Sequence, residues 1–196
     1  TPVQNLLSAE SEFVRRIRDQ IELRRFERKN LGALLQHYGF RSSWIDLVDN
    51  LWVSVWFATH TLRRTGKTSN YNFREEGNGW IYFLSPQAGP GDPQCLDLRR
   101  AHQGLSLRLH TQHGWALKGA KNSIDDLNQY VVATVEFPIG DSWHLSGHLG
   151  SEDFLFPPER LDDTLSKLAK SDIEHWARDI EKSHGIPNNA LGSLLK

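Results

Sequence analysis

Three observations predict an α+β fold in a single domain. Apolar residues recur at helical spacing near both ends of the chain, short runs rich in β-branched and aromatic residues occupy its middle, and no internal repeat appears. The 196 residues, of which 38% are hydrophobic, suffice for one core. We expect N-terminal helices packed on a small mixed or antiparallel sheet, followed by C-terminal helices. We divide the chain into a domain over 1–170 and a C-terminal helix and tail over 171–196.

The first elements are predicted to be helical. Apolar residues at partial helical spacing over 7–36 favour helix, and Gly39 is expected to end it because glycine tolerates the left-handed cap conformation. A short strand over 43–47 leads into a helix that ends near His60. That helix is apolar nearly all round, so we expect it deep inside the domain. Its aromatic residues are predicted to lie in the core: Trp52, Trp56 and Phe57.

The rest of the chain alternates between polar and apolar segments. Residues 65–79 are polar and contain glycine, which predicts a mobile surface loop. Short apolar runs predict strands at 80–84, 105–109, 113–117 and 130–139. Two amphipathic segments predict closing helices at 158–169 and 172–182.

Composition limits the classes of function. The net charge of −1 implies no global attraction to nucleic acid or to an acidic membrane, although a local basic patch stays compatible with it. The single cysteine, Cys95, excludes an intramolecular disulfide and a cysteine-cluster zinc site. The longest apolar run, 47–58, is too short to span a bilayer. We therefore predict a cytoplasmic protein with no membrane partner.

One continuous motif stands in the first half of the chain. Residues 36–46 read Gln-His-Tyr-Gly-Phe-Arg-Ser-Ser-Trp-Ile-Asp and lead into Asn50 and a helix that ends in Phe57 and Ala58. Further elements follow in the second half: Arg-x-x-x-Gln-x-Gly at Arg108, Gln112 and Gly114, and Leu-Phe-Pro at 155–157. In this order, over about residues 31–168, the chain resembles the FRG family. The Phe-Arg-Gly tripeptide that names that family is not found upstream, and we expect the chain to begin just after it.

The order of parts is also similar, more weakly, to ADP-ribosyltransferases. That resemblance implies NAD+ as co-substrate, no metal, and a source among bacterial effectors, toxins or defence proteins. It places Ser42 or Ser43 in the motif that supports the nicotinamide ribose and Gln112 in the position of the last, catalytic acid. Cofactor-binding positions would include the serines and two cations, Arg41 and Arg108. A glutamine in the last position would be a weak catalyst because it cannot stabilise positive charge as a carboxylate does.

Three residues invite a catalytic interpretation on their own chemistry. His37 beside Tyr38 could bind a phosphate or act as a general acid, or His37 could cap the end of its helix. Asp46 at a strand end could be a base, or it could cap the buried helix, as could Asp49, or pair with Arg41 or Arg108.

Two alternatives to a transferase stay open. One is a non-catalytic module that binds a protein or nucleic-acid partner, including a missing N-terminal segment supplied by another part of the chain. The other is a metal-independent nuclease that uses His37 and Asp46. His144 and His148 are four residues apart, as in some zinc sites, but the intervening Gly147 and the lack of a third ligand disfavour a metal.

Overall fold

Helices occupy both ends of the chain and short strands occur in its middle in the computed structural model, which describes residues 2–21, 30–65, 68–85, 94–101, 106–118, 127–140 and 151–192. The helices are α1 (Pro2–Gln20), α2 (Leu31–His37), α3 (Leu51–Thr59), α4 (Leu98–Ala101), α5 (Leu107–Thr111), α6 (Glu152–Leu155), α7 (Asp163–Ala169) and α8 (Ile173–Ser183). The strands are β1 (Ile45–Val48), β2 (His60–Thr65), β3 (Thr68–Phe73), β4 (Asn78–Leu84), β5 (Gln94–Asp97), β6 (Gly114–Lys118) and β7 (Val131–Pro138). The predicted α+β class is confirmed.

The described strands form three small antiparallel sheets. The largest has the strand order β1-β6-β5, and two ribbons pair β2 with β3 and β4 with β7. In the three-stranded sheet Asp46 lies opposite Ala116 and Val48 lies opposite Gly114. Because paired residues of antiparallel strands point to one face of the sheet, Asp46 and Gly114 share a face.

The main core joins the N-terminal and C-terminal helices. On α1 the buried residues Ala9, Phe13 and Ile17 recur every four positions and face one side. They pack in one cluster with buried residues of α2, α7 and α8. The rings of Phe13 and Phe40 lie 5.2 Å apart at its centre. The C-terminal helix therefore shares its core with the first helix.

A tail after α8 returns to the turn that follows α2. Phe40 and Gly192 form an isolated antiparallel bridge, and the backbone N–H of Arg41 donates to the carbonyl of Leu191 over 2.8 Å. Gly39 has φ 98°, which confirms its predicted role in ending the preceding helix. A Cβ on Gly192 would stand 2.4 Å from the Gly39 carbonyl oxygen, so only glycine fits there.

Most of the predicted regular elements are confirmed. The helix near 51–60, the strands near 80–84, 113–117 and 130–139, and the helix near 172–182 all occur within two residues of the predicted bounds. Within the helical region predicted over 7–36, the described residues form α1 and α2, and residues 22–29 lie outside the described part of the chain. The helix predicted over 158–169 begins only at Asp163, because the Asp162 side chain caps it.

The prediction of a loop over 65–79 is wrong. Residues 68–73 form β3, which pairs with β2. Its aromatic side chains make contacts that are distant in sequence: the rings of Tyr71 and Trp56 are 5.0 Å apart, and those of Phe73 and His60 are 5.5 Å apart. The polar residues between those aromatics lie on the exposed face of the hairpin, so composition alone predicted a loop.

The prediction of a strand over 105–109 is also wrong, because Leu107–Thr111 is helical. Tertiary contacts override the local pattern. The backbone N–H of Arg108 donates to the Asp162 carboxylate over 2.9 Å, and the hydroxyls of Ser106 and Thr164 are 2.7 Å apart. Strand β5 and helix α6 had no counterpart in the sequence prediction.

Helix α3 is only partly buried, contrary to the prediction that it lies deep inside. Trp56 is buried as expected, but Trp52 is 59% exposed and Leu51 is also exposed. The predicted caps are wrong as well. Asn50 caps the helix, since its Oδ1 accepts hydrogen bonds from the backbone N–H of Trp52 at 2.9 Å and of Val53 at 3.3 Å. None of the helices within the described ranges is long and apolar enough to cross a membrane.

Candidate active site

His37, the last residue of α2, lies between two side chains that are distant in sequence. Its Nδ1 is 3.1 Å from Oε1 of Gln112, and its Nε2 is 3.2 Å from Oδ1 of Asp46. The imidazole is almost fully buried, with 2% of the side chain exposed, whereas the Asp46 side chain is 40% exposed. The three residues therefore form a row from the interior to the surface, and Asp46 is its outer end.

A glycine makes room for this imidazole. A Cβ on Gly114 would lie 3.0 Å from Cε1 of His37, closer than ordinary van der Waals contact. Gly114 opens strand β6 directly after Gln112 and His113. His113 adopts φ 53°, a left-handed conformation that is uncommon for a residue with a side chain. This turn brings Gln112 to one edge of the imidazole while Gly114 lies against the ring.

The carboxyl of Asp46 is placed for proton chemistry. Although 40% of the side chain is exposed, the protein atoms crowded around the carboxyl partly desolvate it and raise its pKa, and the nearby His37 lowers that pKa in part. A carboxyl with a raised pKa at a protein surface is a candidate acid or base. The predicted pairing of Asp46 with Arg41 or Arg108 does not occur among the described contacts, because His37 takes that place.

Tyr38 points away from this row and is fully buried. Its hydroxyl donates to the carboxylate of Asp162. Burial, and secondarily the Asp162 charge, raise the pKa of Tyr38 well above its usual range, so the hydroxyl stays protonated. Without a rearrangement of the core, Tyr38 has no surface with which to contact a ligand.

Arg108 is buried beside Tyr38. Its guanidinium carbon is 4.8 Å from the centre of the Tyr38 ring and 5.2 Å from that of Phe156, and Nη1 donates to the carbonyl of His37 over 3.1 Å. Desolvation lowers the pKa of Arg108, while Tyr38 and Asp162 oppose that effect. In this arrangement the guanidinium holds the end of α2 in place and has no exposed face for a cofactor.

The serines predicted to bind cofactor serve the loop between α2 and β1. The Ser42 hydroxyl donates to Oε1 of Gln36 over 2.6 Å and accepts from the backbone N–H of Trp44. Ser43 donates from both its backbone N–H and its hydroxyl to Oε1 of Glu10. Arg41 is exposed. Of the predicted cofactor-binding residues, Arg41 alone is exposed, whereas the two serines are half-buried and Arg108 is buried.

The suggestion that His37 caps its own helix is wrong, since its ring nitrogens face Gln112 and Asp46. His144 and His148 lie outside the described residues. Within the described ranges, no three histidine, cysteine or acidic side chains group closely enough to hold a metal ion.

A second polar cluster, not predicted as a site, lies at the end of β1. The Asp49 carboxylate accepts from Nη2 of Arg99 at 2.6 Å, from Nε1 of Trp115 at 3.0 Å and from the ring of His113 at 3.1 Å. Burial raises the pKa of Asp49, but the hydrogen bonds from Trp115 and Arg99 outweigh it, so the net pKa is lowered. In the sequence, Asp49 stood two residues after a predicted strand and was considered only as a cap of the following helix.

Comparison of the chain with protein-family models, with curated proteins and with solved structures gives no match. The fold and the site define an α+β domain in which a half-exposed carboxylate is backed by a buried imidazole. The residues that carry the resemblance contact one another: His37 touches Gln112, and Gln112 donates to the carbonyl of Leu155 over 2.9 Å.

Proposed function

We propose that the domain is ADP-ribosyltransferase-like and binds NAD+ or a related nucleotide, with Asp46 as the carboxylate that faces the reacting ribose. The observation that carries this proposal is the difference in solvent exposure between Asp46 and His37. Asp46 is 40% exposed, while His37, 3.2 Å behind it, is 2% exposed. Asp46 is thus the member of the row that a substrate can reach.

The chemistry of the reaction explains why a carboxylate belongs there. Breaking the bond between nicotinamide and ribose develops positive charge on the sugar, and a fixed negative charge stabilises that state. The resemblance to ADP-ribosyltransferases assigns the final acidic position to Gln112, which is neutral. His37 lies between Gln112 and Asp46, so both belong to the same site. The negative charge that Gln112 lacks is therefore supplied by Asp46 on strand β1.

A cation on the same sheet face supports a phosphate-bearing ligand. Ala116 lies opposite Asp46 in the sheet, and Lys118 follows two residues along β6, so Lys118 projects to the same side. Lys118 is exposed, and its Nζ is 5.5 Å from the centre of the Trp44 ring. A lysine ammonium provides a mobile point charge for a pyrophosphate. The proposed setting is a bacterial effector, toxin or defence protein that acts in the cytoplasm.

The test is thermal unfolding with and without millimolar NAD+, together with an assay for release of nicotinamide. A ligand that binds only the folded state at about 100 times its dissociation constant adds about 2.7 kcal/mol, which raises the Tm by several degrees at this size. Asp46→Asn should abolish nicotinamide release and leave the protein folded. Both measurements use the 196-residue chain.

The matched control is Asp179→Asn. Asp179 also pairs with a histidine, His175, over 3.3 Å, but on the exposed side of α8. This variant should behave as the wild type in both assays. If the wild-type chain neither binds nor consumes NAD+, or if Asp46→Asn retains full activity, the proposal is overturned.

A second candidate is a non-catalytic module that binds a protein partner. It is favoured by the burial of His37, Tyr38, Arg108 and Gln112, all of which are hydrogen-bonded within the protein. It is also favoured by the exposed aromatic side chain of Trp52 at the start of α3. This candidate predicts no response to NAD+ and loss of partner binding on Trp52→Ala. The nuclease alternative required His37 to reach its substrate, so we do not propose it.

A further inference from the structure

We propose that Gln112 is a positioning residue that fixes the imidazole of His37 with a proton on Nδ1, so that Nε2 is the ring nitrogen left to face the Asp46 carboxyl. The inference deepens the proposed function, on which its catalytic consequence rests.

The orientation of the Gln112 amide is set by a carbonyl. Its Nε2 donates to the backbone oxygen of Leu155 over 2.9 Å. A carbonyl oxygen only accepts, so the nitrogen of the amide must face Leu155 and the oxygen must face the other way. The oxygen, Oε1, is therefore the atom 3.1 Å from Nδ1 of His37.

An amide oxygen next to Nδ1 requires a donor. Oε1 of Gln112 has only lone pairs, so the hydrogen bond at 3.1 Å exists only if Nδ1 carries a proton. In the neutral imidazole the other nitrogen, Nε2, is then bare. Gln112, at the buried end of the row, thus determines the tautomer of His37 without contacting the substrate.

The other nitrogen faces a carboxyl. Nε2 of His37 is 3.2 Å from Oδ1 of Asp46, a charge-pair distance at which the angle does not make a hydrogen bond, and this buried nitrogen has no hydrogen-bond partner among the described residues. A bare nitrogen beside an ionised carboxylate would set two lone pairs against each other. A proton on Nε2 removes that repulsion and leaves Asp46 ionised, which is the state that the proposed function requires.

The surroundings hold the ring in this orientation. The absent side chain of Gly114 leaves the space that the ring occupies. Nη1 of Arg108 fixes the His37 carbonyl, and the backbone N–H of Gln112 donates to the carbonyl of Arg108 over 3.0 Å. At the outer end, Asp46 can exchange this proton with a bound substrate while His37 compensates the change of charge.

The experiment is NMR of the protein labelled with ¹⁵N in histidine, with His37→Gln used to assign the ring of His37. In the wild type we expect a protonated Nδ1. Gln112→Leu removes the acceptor, and the ring should change to a form with the proton on Nε2, facing Asp46. Gln112→Glu keeps an acceptor oxygen and should retain the protonated Nδ1. Gln20→Leu, at the exposed end of α1, is the control and should leave the ring signals unchanged.

A wild-type ring with a bare Nδ1 would overturn the inference, and so would a folded Gln112→Leu variant with an unchanged ring. If that variant does not fold, the wild-type spectrum still decides. The two proposals can fail separately. A protonated Nδ1 in a protein that ignores NAD+ keeps the inference and removes the proposed function. NAD+ turnover with a bare Nδ1 keeps the function and removes the inference.

Discussion

The hydroxyl oxygen of Tyr38 lies 2.9 Å from both carboxylate oxygens of Asp162. The same carboxylate accepts from the backbone N–H of Arg108 at the start of α5 and from that of Leu165 in α7, each over 2.9 Å. Three segments that are distant in sequence therefore meet at one buried charge. Tyr38 follows His37 directly, so this contact also anchors the end of the helix that carries the candidate active site.

Tyr38→Phe should destabilise the fold. The substitution removes a buried hydroxyl that donates to a charged acceptor, a bond worth about 1.5–3 kcal/mol. Asp162 keeps its two backbone donors, so we expect a loss within that range and a folded protein. Urea unfolding at pH 7 measures it. Tyr82→Phe, at an exposed position of β4, should change the free energy of unfolding by less than about 0.5 kcal/mol. Equal effects of the two substitutions would contradict this role of Tyr38.

Gly114→Ala should displace the His37 imidazole. The new Cβ would stand 3.0 Å from Cε1 of the ring, and the ring is enclosed on its other sides. We expect a cost of about 1–3 kcal/mol, as for other small-to-large changes in packed interiors, and altered NMR signals of His37. Gly140→Ala is the control, because a Cβ there meets no atom within 4 Å. Unchanged His37 signals in Gly114→Ala would show that the ring does not depend on this space.

The residues of the site could be named from the sequence, but their arrangement could not. His37, Asp46 and Gln112 were all predicted, and the structure brings them together. Tyr38 and Arg108 were predicted beside them, and they turn inward because Asp162, some 50 residues or more beyond either of them, holds Tyr38 and the backbone of Arg108. A local motif fixes which residues are near in sequence, and only long-range contacts decide which of them face solvent.

Long-range contacts also explain which helices and strands were predicted from the sequence and which were missed. The strand near 130–139 is rich in β-branched residues, with Val131, Val132 and Val135, and was predicted. The hairpin of β2 and β3 depends on Tyr71 and Phe73 reaching Trp56 and His60. Likewise α5 exists where a strand was predicted because Asp162 accepts from its backbone. Elements stabilised by their own periodicity are predictable, whereas those stabilised by a distant partner are not.

Asp49→Asn should change how stability depends on pH. The pKa of Asp49 is lowered in the folded protein, so the unfolded state binds its proton first as the pH falls. The stabilisation is therefore fully present above the unfolded pKa of about 3.9 and is lost as the pH falls through the folded value. The side chain is 42% exposed, so we expect a loss of at most about 1 kcal/mol at pH 7.

Chemical unfolding of wild type and Asp49→Asn at a series of pH values checks this. The two stability curves should be separated at pH 7 and should converge below about pH 4. Asp19→Asn, which removes an exposed carboxylate of α1 with arginine neighbours, is the control and should follow the wild type closely. A difference that is constant down to pH 2 would mean that the ionised form of Asp49 is not what stabilises the fold.

Glu181→Gln should release the tail that supports the turn after His37. The buried carboxylate of Glu181 accepts from the backbone N–H of Asn189 at 2.9 Å and of Leu191 at 2.8 Å, one on each oxygen. Glutamine presents an NH₂ group to one of these donors, so one buried bond is lost at a cost of about 1–3 kcal/mol. Because the Leu191 carbonyl accepts from Arg41, hydrogen exchange of the Arg41 amide should accelerate along with that of Leu191. Glu174→Gln on the same helix should leave both amides as protected as in the wild type. If the Arg41 amide keeps its protection in a Glu181→Gln variant whose Leu191 amide has lost it, the tail does not hold the turn that follows the candidate active site.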